Sequence, residues 1–563
     1  MSSTATAPTR ATHGTGPALA TRLRDALACS RAALAGLLVL VSLACFLPGF
    51  FSIPPVDRDE ARFAQASKQM VESRNVFDIR FQDEARYKKP IGIYWLQAAA
   101  VELSRQGADA PIWVYRIPSL LGAVASVLLT YWVALPLVGR RAGALAALFM
   151  ATSVLLGVEA RLAKTDAALL ATIVASMGFL ARAYRGQPIG RRGACLFWTA
   201  IAAGVLLKGP VILLVVGLAA LTLSVMDRSG AWLRALRPLP GAAWALLLVL
   251  PWFAAIGLAS HGAFFSASIG QDLLAKVAGA QESHGAPPGS YLVAFWGIFW
   301  PAAGLALAAA PWIWAHRNES AVRFCLAWAV PSWILFEAVP TKLPHYVLPL
   351  LPAVSILIAA AFLSGRRPGR LLAGLIAAGG AALALAGVVI LCVVERRISA
   401  TAIGVSVPAV LALGAAARFA ARGPVAVYAA SLALGAALLF TAVFGIVAPR
   451  LQTLWISPRL AAAVSRQAAC PAPAVASTGF SEPSLVFLVG TRTALLEPAD
   501  AADFLNGGPC RIALIEHRRE AEFEARLARL GRPALLGERV QGLNLNGGRR
   551  LDIGVYRLRN PAG

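Results

Sequence analysis

Residues 32–51, AALAGLLVLVSLACFLPGFF, form an almost continuous apolar run, and residues 57–64, DRDEARFA, follow it within six positions. A run of this length can cross the hydrocarbon core of a bilayer as a helix. An ion-rich segment beside such a span is costly to hold near lipid unless it folds onto itself or meets charged headgroups. We therefore interpret residues 57–64 as the start of a catalytic loop at a membrane face.

The composition of the chain is that of a polytopic membrane protein. Of its 563 residues, 58% are hydrophobic and only 14% are charged, a balance that one soluble core cannot absorb. The formal net charge of +24 comes from short basic clusters between apolar runs rather than from one solvated face. This distribution fits membrane topology and argues against nucleic acid as a partner.

Apolar stretches along the chain predict an α-helical polytopic fold with about thirteen membrane spans. The predicted spans are 32–51, 113–137, 142–158, 165–183, 194–207, 210–226, 241–259, 291–315, 321–339, 346–364, 371–394, 401–417 and 424–448. Twenty arginines fall in the loops on the side of the N-terminus, with few opposite, so the N-terminus is expected in the cytoplasm and the C-terminus in the periplasm. The first run lacks a small-residue cleavage signal and is interpreted as an uncleaved signal anchor.

Three parts are expected: a cytoplasmic N-terminus (1–31), a transmembrane catalytic domain (32–449) with a periplasmic loop (52–112), and a periplasmic α/β domain (450–563). In this last part the predicted strands lie at 484–489, 511–515 and 551–558 and a predicted helix at 518–530, with a hairpin turn at 544–549. Cys470 and Cys510 share an oxidising compartment. A disulfide between them is a hypothesis, with free thiols as the alternative.

The periplasmic loop brings carboxylates and cations to one depth. Asp59 is placed to cap an amphipathic helix along the membrane surface, with Phe63, Ser67, Met70 and Val71 on one face. The loop closes with the basic stretch 86–89, and a second amphipathic segment begins at position 90. An interfacial cation cluster can bind a lipid phosphate, and a carboxylate can take a proton from an acceptor or position it. These are the groups that sugar transfer from a polyprenyl phosphate requires.

Several motifs resemble those of the bacterial aminoarabinose lipid A transferases, within the polyprenyl-phosphate-sugar glycosyltransferases that include the protein O-mannosyltransferases. Residues 59–64, DEARFA, resemble an Asp-Glu-x-Arg-aromatic-Ala element, and Lys89-Pro90 with Tyr94-Trp95 a Lys-Pro-Pro-Leu-x-Tyr-Trp element. Further matches are Arg116-Ile117-Pro118-Ser119, Glu159-Ala160-Arg161 with Lys164 and Asp166, Leu207-Lys208-Gly209, and Lys342-Leu343-Pro344-His345-Tyr346. The resemblance implies a GT-C fold and an inverting glycosyltransferase of the bacterial inner membrane.

The chain departs from this pattern beside the predicted phosphate-binding lysine. Ile91 and Gly92 stand where the family has proline and leucine, and Lys88 replaces a common acidic residue. If that acid binds a metal or the amino sugar in the family, this chain lacks it. An uncharged or acidic sugar then becomes an alternative to aminoarabinose, and a divalent metal is left open as a cofactor.

The resemblance also implies roles for individual residues. Asp59 would activate or position the acceptor, Glu60 would assist it or simply favour the first helical turn, and Lys89 would bind the donor phosphate. Further donor-phosphate contacts would be Arg62, Arg86 and Lys88. The substrate cavity would be lined by Tyr87, Arg116, Arg161, Lys164, Asp166, Lys208, Lys342, His345 and Tyr346.

The expected partners are a polyprenyl (undecaprenyl) phosphate sugar donor, a periplasmic acceptor such as lipid A or the lipopolysaccharide core, and membrane lipids, with the protein acting as a monomer. Two other functions remain open at this point. A polyprenyl-linked glycan flippase would also combine many spans with basic loops, although its charges would lie at mid-membrane depth. A membrane scaffold would have no need to bring Asp59, Lys89, Arg161 and Asp166 to one face.

Overall fold

A computed structural model describes residues 30–274, 285–544 and 546–558. Most of the predicted cytoplasmic N-terminus, including Arg10, Arg22 and Arg24, lies outside these ranges. Leu545 of the predicted hairpin turn also lies outside them. Long apolar helices occupy most of the chain up to residue 450. The helices of this part are α1 (Arg31–Phe46), α2 (Asp59–Ser73), α3 (Gly92–Ser104), α4 (Ile112–Ala151), α5 (Val154–Glu159), α6 (Asp166–Tyr184), α7 (Gly190–Lys208), α8 (Val211–Met226), α9 (Pro238–Ala259), α10 (Ser290–Ile298), α11 (Ala303–Ala315), α12 (Ser320–Ala338), α13 (Leu351–Leu363), α14 (Arg370–Glu395), α15 (Ala400–Ala421) and α16 (Val425–Phe440).

The helical fold class is confirmed. In the described part of the chain, eight helices are long and apolar enough to cross a membrane, or nine if the pair α10 and α11 forms one broken span. Helices α1 and α8 are apolar but shorter. Their outer faces carry many exposed leucine and valine side chains, as a lipid-facing surface requires.

Two of the predicted spans differ from the observed helices. The predicted break between the spans 113–137 and 142–158 is confirmed, because α4 consists of two helices separated at Gly139, whose φ of 77° and ψ of −178° are not helical and whose φ only glycine adopts easily. The second of these helices ends at Ala151 rather than at 158. The short α5 follows after a break. The predicted span 291–315 is bent by 117° between α10 and α11. Hydropathy counts apolar residues and does not register such bends.

The loop of residues 52–112 folds back onto the helical bundle. Helix α2 begins at Asp59, but the expected cap is wrong, because the preceding Arg58 has a φ of 65° and no side chain caps the helix. Phe63, Ser67 and Met70 are buried as predicted. Tyr94 of α3 is fully buried, with its ring centroid 5.6 Å from that of Phe63. A two-stranded hairpin of β1 (Arg80–Phe81) and β2 (Glu84–Ala85) lies between α2 and α3.

After residue 450 helices alternate with strands. Their order is α17 (Ile456–Gln467), β3 (Ala474–Thr478), α18 (Pro483–Val489), β4 (Ala494–Leu495), α19 (Pro498–Asn506), β5 (Arg511–Glu516), α20 (Glu520–Arg529), β6 (Ala534–Asn544) and β7 (Arg549–Leu558). The strands form one sheet in the order β4-β3-β5-β7-β6. Strand β3 pairs in parallel with β4 and β5, and β7 pairs antiparallel with β5 and β6.

The local predictions for this segment have mixed outcomes. The predicted strand at 484–489 is wrong, because these residues form α18, where Pro483 occupies the first turn. The strands at 511–515 and 551–558, the helix at 518–530 and the hairpin are confirmed. The structure also joins Cys470 and Cys510 in a disulfide, with their Cα atoms 5.9 Å apart.

The segment after residue 450 sits on the loop of residues 52–112 through polar contacts. The amide nitrogen of Gln65 donates to the hydroxyl of Thr491 at 2.8 Å, and that of Gln82 to the Thr493 carbonyl at 2.6 Å. The hydroxyl of Ser484 donates to Asp57. These contacts place helix α18 above the loop that carries Asp59.

Candidate functional site

A fully buried ion pair anchors the start of α2. Glu60 is 1% exposed and accepts hydrogen bonds from Arg116 Nε at 2.7 Å and Nη2 at 2.9 Å, and from the backbone amides of Val56 and Ala163 at 2.8 Å each. Arg116 also donates to the carbonyls of Phe50, Ile53 and Pro54. We call Glu60 and Arg116 with these backbone partners the closed cluster. The sequence predicts a catalytic role for Glu60 and a position in the cavity for Arg116. In the structure neither side chain lines the cavity described below, because the two face each other in the protein interior.

Arg161 and Lys342 also lie outside the cavity in which the sequence analysis places them. The Arg161 guanidinium is buried, donates to the carbonyls of Cys45, Pro48 and Gly157, and lies 4.4 Å from the ring centroid of Phe444. Lys342 Nζ donates to the carbonyls of Glu337 and Val339 at 2.8 and 2.6 Å. Backbone carbonyls at helix ends take up both cations, an arrangement that residue type and spacing do not reveal.

The other predicted site residues meet around one polar cavity of about 630 Å³ between the loop of residues 52–112, the bundle and the segment after residue 450. Among the described residues that line it are six basic ones, Arg62, Arg86, Lys88, Lys89, Lys164 and Lys208, and three acidic ones, Asp59, Glu84 and Asp166. Tyr87, His345 and Tyr346 also line it. We call this space the polar compartment.

A second cavity of about 230 Å³ adjoins the first and is mostly apolar. Its walls include Leu169, Val211, Leu214, Leu335, Phe336, Val339 and Leu348. We call it the apolar compartment. The two compartments share a boundary formed by Lys88, Lys89, Asp166, Lys208, His345 and Tyr346. The apolar compartment thus opens directly onto a cluster of cations.

Buried charges at this boundary form a second cluster with a different character. Lys208 Nζ lies 2.5 Å from Asp166 Oδ1, and Lys164 Nζ lies 3.2 Å from Glu159 Oε1 and 3.7 Å from Asp166 Oδ2. The ring of His345 lies 3.8 Å from Glu159 and 3.9 Å from Asp166. Glu159 Oε2 is buried and has no hydrogen-bond partner among the described residues. We call these five residues the open cluster.

Three residues of the open cluster could offer ligand atoms to a metal ion, but the positive charges beside them disfavour a cation. Glu159, Asp166 and His345 each place one ligand atom within 4.8 Å of the others. However, the ammonium groups of Lys164 and Lys208 already contact these carboxylate oxygens. A divalent cation would meet two positive charges at contact distance. The donor set therefore fits a lysine–carboxylate network rather than a bound divalent metal.

Asp59 and Arg86 line the polar compartment but belong to neither cluster. Asp59 is exposed and lines the polar compartment, and its carboxylate makes no hydrogen bond or ion pair with another described residue. The Arg86 guanidinium lies 5.2 Å from the ring centroid of Phe63, and its buried Nε has no hydrogen-bond partner in the described ranges. The Tyr87 hydroxyl is occupied by Asp78 at 2.9 Å.

The sequence analysis assigns no role to Glu159, Ser481 and Pro483, which are among the residues at this site. Glu159 occurs in one of the quoted motifs, but its position in the open cluster depends on the turn between α5 and α6. Ser481 and Pro483 of the segment after residue 450 line the polar compartment. Their neighbours in the sequence predict a strand, so no signal there indicates a cavity wall.

Comparisons with known proteins agree with this geometry. The family model described as dolichyl-phosphate-mannose-protein mannosyltransferase matches residues 88–254. The undecaprenyl phosphate-alpha-4-amino-4-deoxy-L-arabinose arabinosyl transferase of Erwinia tasmaniensis is 28% identical over 306 residues, 54% of each chain. The enzyme of the same name from Pseudomonas aeruginosa is 28% identical over 355 residues, 60% of this chain and 63% of that one. This chain thus spans between one half and two thirds of these relatives.

Solved structures extend the likeness to the whole fold. The crystal structure of ArnT from Cupriavidus metallidurans bound to undecaprenyl phosphate superposes with a TM-score of 0.73 at 20% identity, covering 93% of this chain and 98% of that one. Its apo structure gives a TM-score of 0.72. These structures show that the chain has the GT-C fold. The sequence matches show that it is similar to the aminoarabinose transferases over part of their length.

Proposed function

We propose that this protein is an inner-membrane glycosyltransferase that moves a sugar from undecaprenyl phosphate to a periplasmic acceptor, lipid A or the lipopolysaccharide core. The observation that carries the proposal is the junction of the two compartments at Lys88, Lys89, Lys208 and Tyr346. A polyprenyl phosphate sugar has three chemically distinct parts in the same order: an apolar chain, an anionic phosphate and a polar sugar. The relatives named for this chemistry support the assignment.

In this arrangement the isoprenoid chain occupies the apolar compartment and its phosphate lies at the boundary. Lys89 and Lys208 would bind the phosphate oxygens, with Lys88 beside them. Negative charge builds on these oxygens as the bond between the anomeric carbon and the phosphate oxygen breaks. Fixed ammonium groups stabilise that charge without reorganising. Asp166 holds Lys208 in position.

Asp59 is the proposed catalytic carboxylate. The acceptor oxygen attacks the anomeric carbon from the face opposite the phosphate, so the configuration inverts and polyprenyl phosphate leaves. Asp59 takes the proton of an acceptor hydroxyl, or positions the acceptor when the attacking group is an ionised phosphate. Its exposure and its lack of a protein hydrogen bond suit a group that must meet a substrate. In this proposal, Glu60 supports the reaction only by fixing the start of α2.

The proposal includes the finer topology. Thirteen membrane segments, a cytoplasmic N-terminus and a periplasmic C-terminus would put the polar compartment at the periplasmic face. The chain would act as a monomer with parts 1–31, 32–449 and 450–563, the last forming an α/β domain over the cavity. The flippase alternative is not supported by the comparisons, which carry names of transferases.

The experiment is transfer of a labelled sugar from undecaprenyl phosphate to lipid A by the purified protein. Replacing Asp59 with Asn should lower the rate by about 10²- to 10⁴-fold, the range for loss of a catalytic acid or base, while yield and thermal stability stay normal. Asp83→Asn, at an exposed position of the same loop, is the matched control. Full activity of the Asp59 variant would remove the assignment, and movement of the lipid without transfer would support a flippase.

A further inference from the structure

We propose that a basic cavity between α14 and α15 binds the headgroup of an anionic phospholipid in the membrane leaflet opposite the polar compartment. The cavity has a volume of about 590 Å³. Its wall contains Arg370 at the start of α14 and Arg418 and Arg422 at the end of α15, and the other described residues that line it are all glycine or alanine. The inference goes beyond the proposed function and does not depend on sugar transfer.

The cavity lies far from the polar compartment. Helix α14 begins at Arg370 in the cavity wall and ends at Glu395, whose carboxylate accepts a hydrogen bond from the backbone amide of Thr453 at 2.7 Å. Its 26 residues make a helix about 39 Å long. The cavity and the segment after residue 450 therefore lie at opposite ends of α14. The proposed topology assigns the cavity's end to the cytoplasmic leaflet.

The three arginines have no counter-charge in the described part of the chain. None of their guanidinium groups forms a hydrogen bond or an ion pair with another described residue. The sequence has no aspartate or glutamate between Glu337 and Glu395 or between Glu395 and Glu482. Arg367 beside them, in contrast, donates to the carbonyl of Gly423 at 2.5 Å. Three like charges around one cavity repel one another, and a bound anion would relieve that repulsion.

Helix stability alone does not explain where these arginines lie. Arg418 is in the last turn of α15, where a cation is favourable, but Arg370 is the first residue of α14, where the helix dipole favours an anion. No side chain caps this end of α14, and the first amides of a helix have no partners within it. An anion in the cavity would be stabilised by the guanidinium groups and by the helix N-terminus together.

The surroundings of the cavity favour a lipid over a free anion. Gly374 and Gly414 line it, and a Cβ added at either would meet no atom within 4 Å. Leu371 and Leu411 are 80% and 69% exposed. Each lies three residues before one of these glycines and is therefore its neighbour on the helix surface. The cavity thus adjoins an open apolar surface that acyl chains can cover while the arginines meet the phosphate, as in basic pockets between membrane helices.

The test is lipid binding to the purified protein. Protein washed free of lipid in detergent is titrated with phosphatidylglycerol, with phosphatidylethanolamine of the same acyl chains, or with inorganic phosphate, and bound lipid is counted by native mass spectrometry. Phosphatidylglycerol should bind more tightly than phosphatidylethanolamine, whose ammonium group offsets the phosphate charge. The combined change Arg370→Gln, Arg418→Gln and Arg422→Gln should weaken phosphatidylglycerol binding at least about tenfold, the order of one hydrogen bond to a charged group. Arg366→Gln is the control, since Arg366 is exposed on the same side but does not line the cavity.

A second variant tests the cavity without changing its charge. Gly414→Leu places a side chain in the open space beside α15 and should weaken phosphatidylglycerol binding, while the helix keeps its fold because leucine is a better helix former than glycine. Gly404→Leu is the matched control: a Cβ at Gly404 of α15 also meets no atom within 4 Å, but this residue does not line the cavity.

Four results would overturn the inference. They are equal binding of the two phospholipids, a loss in the triple arginine variant no greater than in Arg366→Gln, undiminished binding in Gly414→Leu, and inorganic phosphate bound as tightly as phosphatidylglycerol. Lys89→Ala separates this site from the polar compartment. Phosphatidylglycerol binding that is lost in Lys89→Ala but kept in the triple arginine variant would place the lipid in the polar compartment and would also contradict the inference.

Discussion

The closed cluster around Glu60 and the open cluster around Asp166 both pair buried carboxylates with basic side chains, yet they differ in how completely their hydrogen bonds are satisfied. In the closed cluster two side chains meet five backbone groups, and both carboxylate oxygens are used. In the open cluster Glu159 Oε2 has no partner in the described part of the chain, and two lysines and a histidine border a cavity. Burial of charge alone therefore does not distinguish the two clusters; incomplete pairing beside a cavity does.

The comparison also separates two adjacent acids in one motif. Asp59 and Glu60 begin the same helix, but successive residues on a helix point in directions about 100° apart. Glu60 faces Arg116 in the interior and Asp59 faces the polar compartment. The motif thus contains one anchoring acid and one acid available to a substrate.

Removing the anchor should give the largest loss of stability. Glu60→Gln leaves the Arg116 guanidinium buried without its counter-charge, and breaking a buried pair in this way costs about 3–5 kcal/mol. We expect a marked fall in thermal unfolding temperature and yield in detergent, while protein that remains folded keeps its activity per molecule.

The matched change in the open cluster is Glu159→Gln, which removes a carboxylate that is already incompletely paired. It should alter stability by less than Glu60→Gln and activity by more. Equal unfolding temperatures for the two variants would contradict the distinction between the clusters.

The second prediction concerns Lys89, at the boundary of the two compartments. Lys89→Ala should weaken retention of undecaprenyl phosphate by about 10- to 100-fold, the value of one hydrogen bond to a charged group. Stability should change little, since the side chain borders a cavity rather than the core. Donor binding to the purified protein is the measurement, with Arg80→Ala as the control. Unchanged retention would mean that the phosphate is bound elsewhere.

Much of this arrangement is predictable from local sequence. Hydropathy gives the helical class, and the motifs give Asp59, Lys89, Lys164, Asp166, Lys208, His345 and Tyr346, which the structure brings together. The other contacts depend on how distant parts of the chain come together in the fold. Arg116 and Arg161 bind carbonyls 62 to 116 positions away in the sequence, and no local pattern encodes such partners.

The errors in the segment after residue 450 have a similar cause. The apolar residues 484–489 have strand-like composition, but Pro483 begins a helix and α18 packs against α2. Tertiary contact outweighs β propensity here. Pro483 of this helix lines the polar compartment, together with Ser481 just before it. The site could therefore be predicted only in part.

The smallest predicted effect tests how helix α18 is attached to the loop that carries Asp57. Burial raises the pKa of Asp57 to about 6, although the hydrogen bond from Ser484 opposes the shift. An acid whose pKa is higher in the folded state than its unfolded value of about 3.9 favours folding when protonated. Its contribution is complete below about pH 4 and is lost as the pH rises through about 6.

Allowing for partial exposure, this loss is on the order of 1–2 kcal/mol. Asp57→Asn cannot ionise and should remove it. Thermal unfolding of the two proteins between pH 5 and pH 8 is the measurement: the unmodified protein should lose stability relative to the variant as the pH rises. A constant difference would mean that Asp57 is charged throughout. The contact with Ser484 would then be an ordinary charged hydrogen bond, and the attachment of α18 would not depend on the ionisation of Asp57.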